Sequence, residues 1–111
     1  ITNFVIVIDK KGRNNMKLGN LLRVENIKGR SGKEVVNQFI IYTDKGIIFQ
    51  SYDKIICCNM NGRVYLDEKY YNFSQTTSKY RNLFLNEKTV ETQKKIKRNV
   101  YYLVNLNKYW E

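Results

Sequence analysis

Histidine, proline and alanine are missing from all 111 residues. Without histidine, the Ser-His-Asp, Cys-His and His-zinc arrangements are unavailable. The only cysteines, Cys57 and Cys58, are adjacent. Neighbours on a strand point to opposite faces, so a disulfide between them is geometrically poor, and the two cannot complete a four-ligand zinc site. They read as reduced, small apolar residues. No Gly-rich strand-to-helix phosphate loop of either common type occurs. No apolar run reaches the roughly 18 residues needed to span a bilayer; the longest, such as Phe4 to Ile8, are strand-sized. That first run precedes Lys10, Lys11 and Arg13, the reverse of the charge order in a signal peptide, so a cytoplasmic location is expected. No Pro-rich, Gly/Ser-rich or acidic stretch divides the chain. One domain is therefore expected over residues 16–111, with residues 1–15 as an N-terminal extension or a first strand.

The missing alanine and proline have GC-rich codons, whereas the abundant Lys, Asn, Ile and Tyr have AT-rich ones. An AT-rich bacterial, phage or plasmid genome is the expected source. The purine-rich coding implied by Lys10 to Asn15 makes Met16 a candidate translation start.

Acidic residues are half as numerous as basic ones, 10 against 20, for a net charge of +10. The excess is uneven. Residues 1–33 carry eight basic and two acidic side chains, residues 34–75 four and five, and residues 76–111 eight and three. Basic ends around a neutral middle suit a polyanion such as nucleic acid, because each cation placed at a phosphate releases condensed counterions. A solubilising surface would give the same count.

Hydrophobic residues make up 42% of the chain, enough to build a compact core. Phe4 to Asp9 reads as a strand and Lys10 to Asn15 as a turn. Met16 to Lys28 reads as a second strand with Leu22, Val24 and Asn26 on one face. Gly29 to Glu34 is a basic turn, and Val35 to Thr43 is the clearest β segment. Asp44-Lys45-Gly46 returns it as Ile47 to Gln50. Tyr52 to Asn59 continues in β, and Asn61-Gly62 marks a hairpin into Arg63 to Asp67.

After residue 74 the period changes. Tyr80, Leu83 and Phe84 at i, i+3, i+4 predict a helix that starts at a Ser74, Thr76 or Thr77 cap and closes near Asn86. A second helix opens at Thr89, with a Glu91–Lys95 pair and Asn99 as a left-handed stop, and Val100 to Val104 is β again. The fold class expected is α+β, an antiparallel β-meander of five to six strands followed by two short helices and a final strand.

Four groups of residues carry possible chemistry. Asp53 with Asp67-Glu68-Lys69 has the outline of a magnesium nuclease site, but the D-x-K pattern recurs at Asp9-Lys10-Lys11 and suits a turn or strand end better. No metal or other cofactor is expected. The helix start from Ser74 to Arg81, with Ser74, Thr76, Thr77, Lys79 and Arg81, is a candidate phosphate site competing with ordinary capping. Lys94, Lys97 and Arg98 share a face of the second helix, to which Arg30 and Lys33 of the basic turn add if folding brings them together. Tyr70, Tyr71, Tyr101, Tyr102, Tyr109 and Trp110 are candidates for stacking on bases, or else half-buried core residues.

The segments NQFIIYTDKGIIFQSYDKII, VYLDEKYYNFSQTTSKYRNLFL and ETQKKIK together resemble small uncharacterised accessory proteins of phages and mobile elements of low-GC Gram-positive bacteria, over about Met16 to Asn107. The resemblance implies a setting and transfers no site residues. Such accessory proteins include DNA-binding and replication factors and inhibitors of host defence, anti-CRISPR proteins among them. A charge of +10 argues against acidic DNA mimicry. Two expectations follow. The first is a non-enzymatic protein that binds DNA or RNA through its basic surface. The alternative is an anti-CRISPR-like inhibitor docking on a host protein or ribonucleoprotein.

Overall fold

The computed structural model describes residues 4–8 and 15–107. The expected architecture is what is seen: six strands run as an antiparallel meander, β1 (Phe4–Ile8), β2 (Asn15–Lys28), β3 (Glu34–Thr43), β4 (Gly46–Ser51), β5 (Lys54–Met60) and β6 (Arg63–Asp67). Helices α1 (Gln75–Leu85) and α2 (Thr89–Lys97) then cross over to β7 (Tyr102–Val104), which pairs parallel to β6. The strands lie in the sheet in chain order. β2 serves two neighbours. Its first part pairs with β1 and its second, from Leu21 on, with β3.

Turn chemistry sets the meander. Asn61 (φ 57°) and Gly62 (φ 91°) both lie in the left-handed region that a two-residue hairpin of the right twist requires. The Asn59 carboxamide oxygen accepts the Gly62 N–H at 3.0 Å. The β4–β5 connection departs from expectation. Tyr52 and Asp53 form a tight turn between Ser51 and Lys54, so the strand begins at Lys54 and not at Tyr52. Tyr52 takes φ 57°, an uncommon conformation for a bulky residue, and its N–H donates to the Asn37 carbonyl at 2.7 Å.

Alternation along the central strands gives the sheet two buried faces. Phe49, Cys57 and Leu66 stand opposite one another across β4, β5 and β6 and meet the helices. The Phe49 and Phe84 rings stack at 5.8 Å. Ile48 and Cys58 point the other way, where Leu18 and Leu106 cover them. The adjacent cysteines thus enter different cores, as strand alternation demands. Burial pushes the Cys57 thiol well above its ordinary value and the Cys58 thiol up to about 12, so neither forms a reactive thiolate near neutral pH.

The chain after β7 is tied down by two buried polar side chains. Asn107 completes the edge of β5 at its bulge: its Oδ1 accepts the Ile55 N–H and its Nδ2 donates to the Ile55 carbonyl, both at 2.7 Å. The Asp67 carboxylate accepts the N–H groups of Lys69 (3.0 Å), Tyr70 (2.8 Å) and Leu106 (2.8 Å). Its oxygens are occupied by backbone donors, which gives Asp67 the strand-end role. No helix of the described residues is long and apolar enough to cross a membrane.

Candidate functional site

Helix α1 meets the sheet along a stripe that differs from the expected one. Thr77 and Arg81, four residues apart, are fully buried, with Tyr80 and Phe84 half-buried beside them, while Leu83 remains 38% exposed. The reason lies in the start of the helix. Ser74 Oγ accepts the Thr77 N–H at 3.1 Å as N-cap, and Thr77 Oγ1 bonds both Ser74 Oγ and Ser51 Oγ at 3.0 Å. This hydroxyl chain fixes α1 to β4 and sets its rotation. The donors expected to hold a phosphate at this end are therefore used internally: Ser74 caps its own helix and Thr77 is buried. Thr76 is exposed.

Arg81 likewise lies inside the fold. Its guanidinium donates to the Tyr71 carbonyl (2.5 Å), Asn72 Oδ1 (3.2 Å), Asn82 Oδ1 (2.9 Å) and Thr89 Oγ1 (2.7 Å). These acceptors are all neutral. Desolvation lowers its pKa, opposed by the negative potentials of neighbouring groups including Glu87. Arg81 is a strut joining the β6–α1 loop, α1 and α2. A phosphate contact at Arg81 is incompatible with zero exposure.

Other expected cations are brought together. The β2–β3 connection, Gly29 to Lys33, turns tightly: the Gly32 N–H donates to the Gly29 carbonyl at 3.0 Å, and Gly32 takes φ 81°, which favours glycine. The loop beside α1 holds a hollow of about 660 Å³ whose lining includes Arg30, Lys33, Glu34, Lys79, Tyr80 and Leu83. A second hollow of about 660 Å³ shares Arg30, Lys79 and Leu83 and continues along the outer side of α1 past Gln75 and Asn86 to Lys88, Glu87 and Glu91. Together they form one cleft, cationic at the hairpin end and mixed in charge at the α2 end. Arg30, Lys33 and Lys79 are exposed, and no described carboxylate lies within ion-pair distance of them.

Lys94, Lys97 and Arg98 are also exposed and unpaired among the described residues. Glu91, Lys94 and Arg98 fall at i, i+3 and i+7 of α2 and its cap, so Lys94 and Arg98 continue the row that Glu91 begins at the cleft. The partner expected for Lys95 is corrected. Its ammonium meets Glu87 Oε1 at 2.7 Å, while Glu91 turns back to accept the Lys88 N–H at 3.2 Å. Lys88, not Thr89, is the N-cap, and the Thr89 hydroxyl serves Arg81 instead.

Glu87 also accepts from Thr92 Oγ1 (2.5 Å) and the Tyr101 hydroxyl (2.8 Å). Burial pushes its carboxyl up, but the bonds from Lys95, Thr92 and Tyr101 outweigh this and leave it below its ordinary value. The hydrogen bond to Glu87 raises Lys95, and burial followed by the same carboxylate raises Tyr101. Tyr101 is thus a core residue with a bound hydroxyl. Tyr70 and Tyr71 are half-buried, Tyr102 is 41% exposed, and Tyr109 and Trp110 lie outside the described residues.

Several cleft residues escape the sequence reading, Gln75 and Glu87 among them. Tyr80 and Leu83 pass as core because the apolar period of α1 is ambiguous by one residue, and Lys88 sits one position ahead of the apparent cap. The residues from Leu22 to Val100, which include every cation of the cleft and of the α2 row, match one protein-family model. The chain belongs to the DUF8033 family, a family of unknown function. Comparison with curated proteins and with solved structures gives no significant match. The DUF8033 span runs from the second part of β2 through α2 and so contains the whole cleft.

Proposed function

We propose that this DUF8033 protein is a non-enzymatic nucleic-acid-binding accessory protein that grips a phosphate backbone with Arg30, Lys33 and Lys79 and extends the contact along Lys94 and Arg98. One observation carries the reading: cations from a hairpin loop and from a helix distant in sequence line the same open cleft without described carboxylate partners. Unpaired cations on a concave surface are available to phosphates and focus the field of a chain with net charge +10. The test is binding of labelled single- and double-stranded DNA and RNA across a salt series. Five phosphate contacts to a single strand, three in the cleft and two along α2, predict a log–log salt slope of about −3.5, shallower by about 1.4 when Arg30 and Lys79 are changed to Glu. Absence of binding at low salt ends the proposal.

A second reading has its own support. Leu21, Leu22 and Val24 of β2 are 44%, 65% and 51% exposed, an apolar strip suited to a protein partner. On this reading the protein is a phage-borne inhibitor of a host defence system, anti-CRISPR-like in mode, docking on a host protein or ribonucleoprotein. It predicts a stable complex with one host component and little affinity for free nucleic acid. Leu22→Lys with Val24→Lys would then abolish the complex while leaving the fold unchanged.

A further inference from the structure

We infer that the cleft is built for unpaired nucleotides, so that its ligand is a single strand and not a duplex. The inference rests on the proposed nucleic-acid function and assigns the class of ligand within it. The argument starts from what lies between the cations. Arg30 and Lys79 border both hollows, and the surface they share includes Leu83, a large apolar side chain left 38% exposed although its helix has a fully buried face. Half-buried Tyr80 adjoins it at the hairpin end, packed on the core and with Lys79 Nζ over its ring at 5.3 Å from the centroid. Along the second hollow the outer side of α1 carries Gln75 at its start and Asn86 at its C-cap, exposed amides with both donor and acceptor atoms.

Cationic rim, apolar floor and amides together match a nucleotide whose base is free: phosphate at Arg30 and Lys33, base face against Leu83 beside the Lys79–Tyr80 pair, base edge toward an amide. A duplex cannot use this floor, because stacking hides its base faces and leaves phosphates and groove edges to the protein. Lys94, Lys97 and Arg98 of α2 line neither hollow and would bind either form through phosphates. The two surfaces therefore make different predictions about strand preference.

The experiment is fluorescence anisotropy at low salt with labelled single strands and matched duplexes, in DNA and in RNA, against the full chain and three variants: Leu83→Asp, Arg30→Glu with Lys79→Glu, and Lys94→Glu with Lys97→Glu and Arg98→Glu. Circular dichroism and thermal melting confirm the fold of each; the substituted positions are exposed. The inference expects single strands to bind about tenfold or more tightly than duplexes, with Leu83→Asp weakening single strands about tenfold more than it weakens duplexes, whose phosphates meet only its added charge. Equal or tighter duplex binding that resists Leu83→Asp and is lost in the α2 variant would overturn the inference while leaving nucleic-acid function standing. No binding to any form would overturn both.

Discussion

Lys79 and Arg81 stand two positions apart on the same helix, and both belong to the basic end of the chain. One lines the cleft with no carboxylate partner among the described residues; the other is fully buried among four neutral oxygen acceptors. A formal charge counted along the chain is thus not a charge on the surface. Arg81 works for stability, since leaving its acceptors without a donor is costly, and Lys79 lines the cleft proposed to bind nucleic acid.

That contrast can be broken by mutation, and Arg81 offers the largest effect. Arg81→Ala removes the donor from its four acceptors and opens a cavity, and should cost about 3–5 kcal/mol in urea or thermal unfolding. Low-temperature nucleic-acid affinity of the folded fraction should be unchanged. A stable Arg81→Ala protein that has lost binding would reverse the assignment. Next comes Asp67→Asn, which places an amide among three backbone N–H donors and should destabilise by about 1.5–3 kcal/mol without touching the cleft. Ser74→Ala should cost about 1 kcal/mol as a lost N-cap, recovered by Ser74→Asp, with no change in binding. If Ser74→Ala instead weakened phosphate affinity, the helix start would be a ligand site after all.

Lys79→Glu sharpens the contrast from the other side: stability should move by less than about 0.5 kcal/mol while binding falls. The subtlest prediction concerns pH. Glu87 is lowered in the fold, so its contribution is fully present above the ordinary carboxylate value near about 4.3 and is lost as pH falls through the folded value. Lys95 and Tyr101 are raised, so theirs is present below about 10 and lost as pH rises. Glu87→Gln should flatten both limbs of unfolding midpoint against pH, measured from acid to alkaline conditions. Unchanged limbs would place the pH response elsewhere.

Most of the fold was legible. Asn61-Gly62, Asn86 and Asn99 announced their turns and helix ends because positive φ needs particular residues, and Asn86 and Asn99 take φ 55° and 59°. Tyr52 gave no such signal, since only its place between two paired strands forces a tyrosine into φ 57°. The site was legible in part. Arg30, Lys33 and Lys79 are recognisable as candidate cations from sequence, but their meeting depends on the β2–β3 hairpin lying beside α1, and nothing local encodes that. The inward turn of Thr77 and Arg81 depends on Ser51, a partner on β4.

By itself the sequence determined the alternation of the meander, the order of elements and the positive balance of charge, because these follow from period, turn residues and composition. Only the tertiary structure decided which cations face solvent, which carboxylate holds Lys95 and which apolar side chain of α1 stays in the open. Each of those outcomes rests on a contact between residues far apart in the chain, and a helix can satisfy its own backbone in any rotation until a neighbour chooses one.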